Sequence, residues 1–115
     1  MTISSEITAL IDRINQELDQ IENLATNGLN IIRPILYAFP ENLSLIRLFA
    51  TLNNNLIFVD TSRRRIQLTI DSISAPNITV EIIQEAGEDL AELLGRTLEN
   101  KILVSRTIAI LEELQ

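Results

Sequence analysis

Three consecutive arginines, Arg63 to Arg65, form the basic run of this sequence. Guanidinium groups bind phosphates and carboxylates alike, so the run predicts either an anion site or a set of internal ion pairs. The chain carries 16 acidic and 9 basic residues, a net charge of −7 that opposes contact with nucleic acids and anionic membranes. We therefore expect no nucleic-acid and no membrane partner, and we expect the arginines to be neutralised within the protein.

The position of the arginines predicts which carboxylates neutralise them. If the chain folds back on itself about residue 76, residue 63 comes level with residue 89. Folding about the 39–40 turn brings Glu17 and Asp19 to a similar level. We therefore predict a structural ion-pair belt around the bundle. Its members are Arg63, Arg64, Arg65, Glu85, Glu88, Asp89 and Glu92.

The same acidic stretch offers an alternative chemistry. Glu85 and Glu88 are about one helical turn apart, and paired carboxylates suit Mg²⁺. Their spacing resembles half of the motif of all-α nucleotide pyrophosphohydrolases, but the second half is missing, because Ile102 stands three residues after Glu99. Acidic pairs are common on solvated helix faces, so the sequence favours no metal and no cofactor. A Mg²⁺-dependent hydrolase is the least favoured interpretation.

Other routes to catalysis find little support in the composition. The chain has no His and no Cys, which removes the usual general base and thiol nucleophile. A serine nucleophile such as Ser105 would depend on Lys101, the only lysine. The three glycines are isolated, so no phosphate-binding loop is indicated. We predict that the protein is not an enzyme.

The elements that position these residues follow from two proline-containing breaks, at 39–42 and 74–77. Within the first two segments, alternate steps of four and three residues fall on apolar positions with one exception each. In the first segment these positions are Ile7, Ile11, Ile14, Leu18, Ile21, Ala25, Gly28, Ile32, Ile35 and Phe39. In the second they are Leu45, Phe49, Leu52, Leu56, Val59, Arg63, Ile66, Ile70 and Ile73. This heptad spacing is typical of coiled-coil packing.

The sequence therefore predicts a single all-α domain over residues 1–115, an antiparallel bundle of three long helices. Asn27-Gly28 and Pro34 weaken the first helix, which we expect to be kinked or split near Gly28 to Pro34. The alternative is an α+β fold with a short β-meander in residues 56–82, because this region is rich in β-branched residues.

Apolar residues around the 39–40 turn and near the C-terminus exceed what one seam per helix can bury. We expect them to form an interface with Ile46, Phe49, Leu103 and Ile110, joining the chain into a dimer or higher oligomer. The predicted function is a non-enzymatic interaction and oligomerisation module, with a protein partner as a further option. The alternative is a regulator that binds a small apolar ligand. No secretory leader or membrane-spanning run is recognisable, so we expect a cytoplasmic protein.

Overall fold

The computed structural model describes residues 4–114 as three helices joined by two turns. α1 spans Ser5–Ala38, α2 spans Leu43–Ile73 and α3 spans Val80–Glu113. All three pack against one another, in a rod of 58 × 18 × 16 Å. Because the turns are short, α2 runs antiparallel to both α1 and α3. The predicted all-α bundle of three long helices is confirmed.

Polar side chains define where each helix begins. Ser4, Asn42 and Thr79 each accept a hydrogen bond from the backbone N–H three residues later, at 3.1 to 3.2 Å. Such a cap satisfies one of the N–H groups that the first turn of a helix leaves free. Pro40 and Pro76 lie in the turns just before two of these caps, where a missing N–H costs no helical hydrogen bond.

The core follows the heptad spacing. The largest aliphatic set belongs to α1, and its members are at most 7% exposed: Ile7, Ile11, Ile14, Leu18, Ile21, Ala25, Leu29 and Ile32. In α2 the buried apolar residues recur every seven positions, at Leu45, Leu52, Val59, Ile66 and Ile73, and buried Asn55 and Ser62 lie between them. Burial against α1 thus outweighs the β propensity of α2, because a strand could not place this seven-residue repeat on one face. Residues 56–73 are helical and residues 4–114 contain no strand, so the α+β alternative is wrong.

α1 continues through both of its weak points. It is one helix from Ser5 to Ala38, so the predicted division between Gly28 and Pro34 is wrong, while a bend there stays a prediction. Gly28 is buried, and a Cβ atom built on it would lie 2.8 Å from Ile108 Cδ1 and 2.9 Å from Leu52 Cδ2. The glycine therefore lets α2 and α3 approach the backbone of α1 closely.

Candidate interaction surfaces

Arg63 joins α2 to α1. Its Nη1 lies 2.7 Å from Glu22 Oε2 and its Nη2 lies 2.8 Å from Asp19 Oδ1. The hydrogen bond to Glu22, followed by that to Asp19, raises the pKa of the guanidinium, although partial burial works in the opposite direction. Arg63 is thus neutralised inside the protein, by acids of α1.

The register between α2 and α3 brings Arg63 level with an acid of α3, yet the two do not pair. Asn55 Nδ2 donates a hydrogen bond to Asn100 Oδ1 at 2.8 Å. The two helices are antiparallel, and Arg63 lies eight residues after Asn55 while Glu92 lies eight residues before Asn100. Arg63 therefore comes level with Glu92. Folding about residue 76 predicts residue 89 at this level, about 4.5 Å away along the helix. Glu92 itself pairs with Arg96, at 2.7 Å.

The other two arginines of the run also remain apart from α3. Arg64 pairs with Asp60, one turn earlier on the same helix, and both side chains are exposed. Arg65 is half-buried, and within residues 4–114 it takes part in no ion pair. The arginine run therefore distributes its side chains over several flanks of α2.

The acidic stretch of α3 is a solvated face. Glu85, Glu88 and Asp89 are exposed, and none of the ion pairs in the described part of the chain includes them. Within residues 4–114 no three acidic side chains converge in a way that could hold a metal ion. The predicted belt acids of α3 do not pair with the arginine run. Arg63 pairs instead with Glu22 and with Asp19, which the sequence places at a similar level.

A second ion pair joins α1 to α3. Lys101 Nζ lies 2.8 Å from Glu17 Oε2, and their side chains are 33% and 15% exposed. This carboxylate oxygen is buried, and its contact with the ammonium group does not have hydrogen-bond geometry. Lys101 is thus held by a carboxylate, while Ser105, four residues on, is exposed. This arrangement does not resemble a serine nucleophile with its base.

A polar layer lies between α2 and α3. Asn55 is 1% exposed, and its Oδ1 has no hydrogen-bond partner in the described residues. Ser62 and Thr107, seven residues after Asn55 and Asn100 respectively, are also buried on the same flanks. Because the helices are antiparallel, these two residues lie about 10 Å to either side of the asparagine pair. The sequence shows three unusual asparagines in α2 but not their partner, because pairing depends on a register that the turn sets.

Exposed apolar side chains concentrate at one end of the rod, where the α1–α2 turn meets the C-terminal part of α3. We call this region the apolar end. Its exposed large side chains are Tyr37, Phe39, Leu43, Ile46, Ile102, Leu103, Ile110 and Leu114. A cleft of about 370 Å³ opens among them and touches all three helices. Its apolar lining residues are Ile35, Phe39, Leu45, Leu48, Ile110 and Leu114.

The four predicted interface residues do not form one patch. Leu103 and Ile110 are each 47% exposed and lie one heptad apart on α3. Phe49 is half-buried, and it lies two heptads before Arg63, on the flank of α2 that faces α1. Ile46 is 40% exposed on the outer side of α2. The apolar end therefore presents at least two separate surfaces.

The remaining findings set limits on a functional assignment. None of the helices in residues 4–114 is long and apolar enough to cross a membrane. Comparisons with protein-family models, with curated proteins and with solved structures return no match to this chain. The surfaces of the molecule itself are therefore the basis for assigning a function.

Proposed function

We propose that the protein is a non-enzymatic interaction module that self-associates through the apolar end. The observation that carries this proposal is the exposure of large aliphatic side chains on α3, where Leu103, Ile110 and Leu114 are about half exposed. Their spacing of seven and four residues puts them on one face of α3, and folded monomers rarely leave large contiguous apolar surface in water. Association would remove it from solvent and would extend the cleft into an interface.

The distribution of charge supports the same proposal. The half of the rod that carries the apolar end, residues 22–59 and 97–114, holds five acidic and four basic residues. It thus carries one of the seven net negative charges, and the opposite half carries the rest. Two copies that meet through their apolar ends keep the acidic halves apart, which limits electrostatic repulsion.

Light scattering on the purified protein at tens of micromolar tests this proposal. We expect a mass of two chains or more, and we expect Leu103→Glu or Ile110→Glu to lower it, because a buried unpaired carboxylate is costly. Val80→Glu is the matched control, since Val80 is 76% exposed on the same helix but belongs to the opposite end. A monomeric wild type would contradict the proposal, as would equal effects of Leu103→Glu and Val80→Glu.

The cleft supports a second candidate, a regulator that binds a small apolar molecule. Its volume of about 370 Å³ lies at the lower end of the range for ligand sites, and apolar side chains dominate its lining. Under this proposal n-decanol should raise the melting temperature of the wild type, and Ile110→Trp should abolish the shift by filling the cleft. An unchanged melting temperature in saturating n-decanol would exclude this candidate and leave self-association unaffected.

A further inference from the structure

Three large apolar residues lie on one line along the outer face of α2. Ile46, Ile57 and Leu68 are 40%, 61% and 70% exposed, and each is eleven residues from the next. Eleven residues make about three turns, so successive side chains of this set differ in direction by only about 20°, at intervals of about 16 Å. Val59, two residues from Ile57, is 1% exposed and points in nearly the opposite direction, into the core. We call Ile46, Ile57 and Leu68 the outer line of α2.

The apolar end does not account for the outer line. Ile57 lies near the middle of α2, and Leu68 lies in the half of the rod that carries most of the negative charge. We propose that the outer line binds the outer line of a second copy of this chain, antiparallel, about a two-fold axis at Ile57. Since the spacing is equal on both sides of Ile57, this axis places Ile46 of each copy against Leu68 of the other.

The polar positions of the same face agree with this axis. A two-fold axis at Ile57 sets Asn54 opposite Asp60 of the second copy, so that an amide can donate to a carboxylate. It also sets Arg64 opposite Ala50, over which the aliphatic part of the arginine can lie. None of these pairs brings like charges together. The arrangement gives a role to an exposed asparagine in the middle of a helix, where asparagine is a poor helix former.

The size of the face predicts a weak dimer. α2 has 31 residues, which corresponds to a length of about 46 Å, and a helix presents a face about 10 Å wide. Each copy would then bury about 460 Å², or about 900 Å² in total, close to the lower limit of about 1,000 Å² for a specific interface. The proposed dimer shares with the proposed function the idea that copies associate, but it uses a different surface, centred on Ile57, and only Ile46 belongs to both. Two isologous surfaces on one chain produce a tetramer or a filament, not a closed dimer.

Disulfide trapping tests the axis directly, because the chain contains no cysteine. The experiment uses the Leu103→Glu background at about 100 µM, so that contact through the apolar end is removed. Under mild oxidation Ile57→Cys should form a disulfide dimer, since the two copies of residue 57 meet on the axis. Gln20→Cys, an exposed position on α1, is the control for random collision and should dimerise at least tenfold more slowly.

Two further cysteine variants test the antiparallel direction. In the proposed dimer the two copies of residue 46 are about 33 Å apart, far beyond the roughly 7 Å between Cα atoms that a disulfide allows. Ile46→Cys and Leu68→Cys should therefore each form no disulfide on its own, whereas their mixture should form a disulfide heterodimer. If Ile57→Cys reacts no faster than Gln20→Cys, or if Ile46→Cys pairs with itself as fast as with Leu68→Cys, the proposed axis is wrong.

Light scattering separates this inference from the proposed function. With both surfaces in use, Leu103→Glu and Ile57→Glu should each leave a dimer, and the double variant should be monomeric. If Leu103→Glu alone has no effect, the apolar end fails and the outer line stands. If Ile57→Glu alone has no effect, the reverse conclusion follows. Circular dichroism on each variant confirms that the helices are intact.

Discussion

The seams that α1 makes with its neighbours differ in chemistry from the seam between α2 and α3. Apart from Gly28, every buried residue of α1 is aliphatic. The seam between α2 and α3 contains Asn55, which is buried and hydrogen-bonded to Asn100. This seam is the least extensive of the three helix–helix seams. Aliphatic seams tolerate more than one register, whereas a buried polar pair favours one. We infer that α1 supplies most of the stability, and that the polar layer sets the alignment of α2 with α3.

The largest expected effect comes from a cavity in the aliphatic seam. Leu18→Ala removes a side chain with no exposed surface and should lower the free energy of unfolding by about 2–5 kcal/mol. Urea denaturation followed by circular dichroism measures the change. Leu68→Ala is the matched control, because Leu68 is 70% exposed, and it should cost less than about 1 kcal/mol. Similar losses for the two variants would contradict the central role of α1.

The glycines provide the next test. Gly28→Val adds two methyl groups at a site where a Cβ atom alone would lie within 3 Å of Leu52 and Ile108, so it should destabilise the fold by about 1–3 kcal/mol. Gly95→Ala meets no atom within 4 Å and should stabilise the fold by about 0.5–1 kcal/mol through helix propensity. Thermal unfolding should shift in opposite directions for the two variants. A tolerated Gly28→Val would show that the helices can separate there at no cost.

The polar layer should respond in a non-additive way. Asn55→Ala leaves Asn100 without its partner and should cost about 1 kcal/mol. Replacing both asparagines with leucine should restore or exceed the wild-type stability, because neither group is then left unpaired. The same double variant should lose its single alignment, seen as extra amide resonances in the NMR spectrum. A well-resolved spectrum of the double-leucine variant would refute the alignment role.

The smallest effect is expected at Arg63, because its side chain is 38% exposed and solvent screens its ion pairs. Arg63→Met should cost about 0.2–1 kcal/mol, and 1 M NaCl should reduce the difference. Since the folded state raises the pKa of this guanidinium, its contribution is complete below the ordinary pKa of arginine and declines only as pH rises through the folded value. The difference between Arg63→Met and wild type should therefore not change between pH 6 and 9. A difference that varied across this range would assign another role to Arg63.

The sequence predicts α1 better than it predicts the pairing of α2 with α3. The stripe from Ile7 to Ile32 is almost wholly apolar, so its burial follows from periodicity alone. Which acids of α3 come level with Arg63 depends on where the chain turns. The real turn runs from the end of α2 at Ile73 to the start of α3 at Val80, and the observed register differs by three residues from folding about residue 76.

The exposed apolar surfaces are harder to predict from the sequence than the core. Periodicity identifies an excess of apolar residues but does not tell which of them face outwards. Ile57 lies in an apolar stretch that would also suit a strand. Only the burial of Val59, two residues later, shows that Ile57 faces outwards, where it is 61% exposed. α1 also tolerates Pro34. The side chain of Pro34 is exposed, and its ring removes only one of the many backbone hydrogen bonds in a helix of 34 residues.

The close approach at Gly28 also bears on the order in which the chain folds. Leu52 follows Gly28 by 24 residues, whereas Ile108 follows it by 80, so the second contact closes a much longer loop. We therefore expect the hairpin of α1 and α2 to form first and α3 to dock in a later step. In stopped-flow experiments Leu52→Ala should mainly slow folding, and Ile108→Val should mainly accelerate unfolding. A chain that folds in this order leaves the side of the α1 stripe that faces α3 uncovered until the last helix has docked.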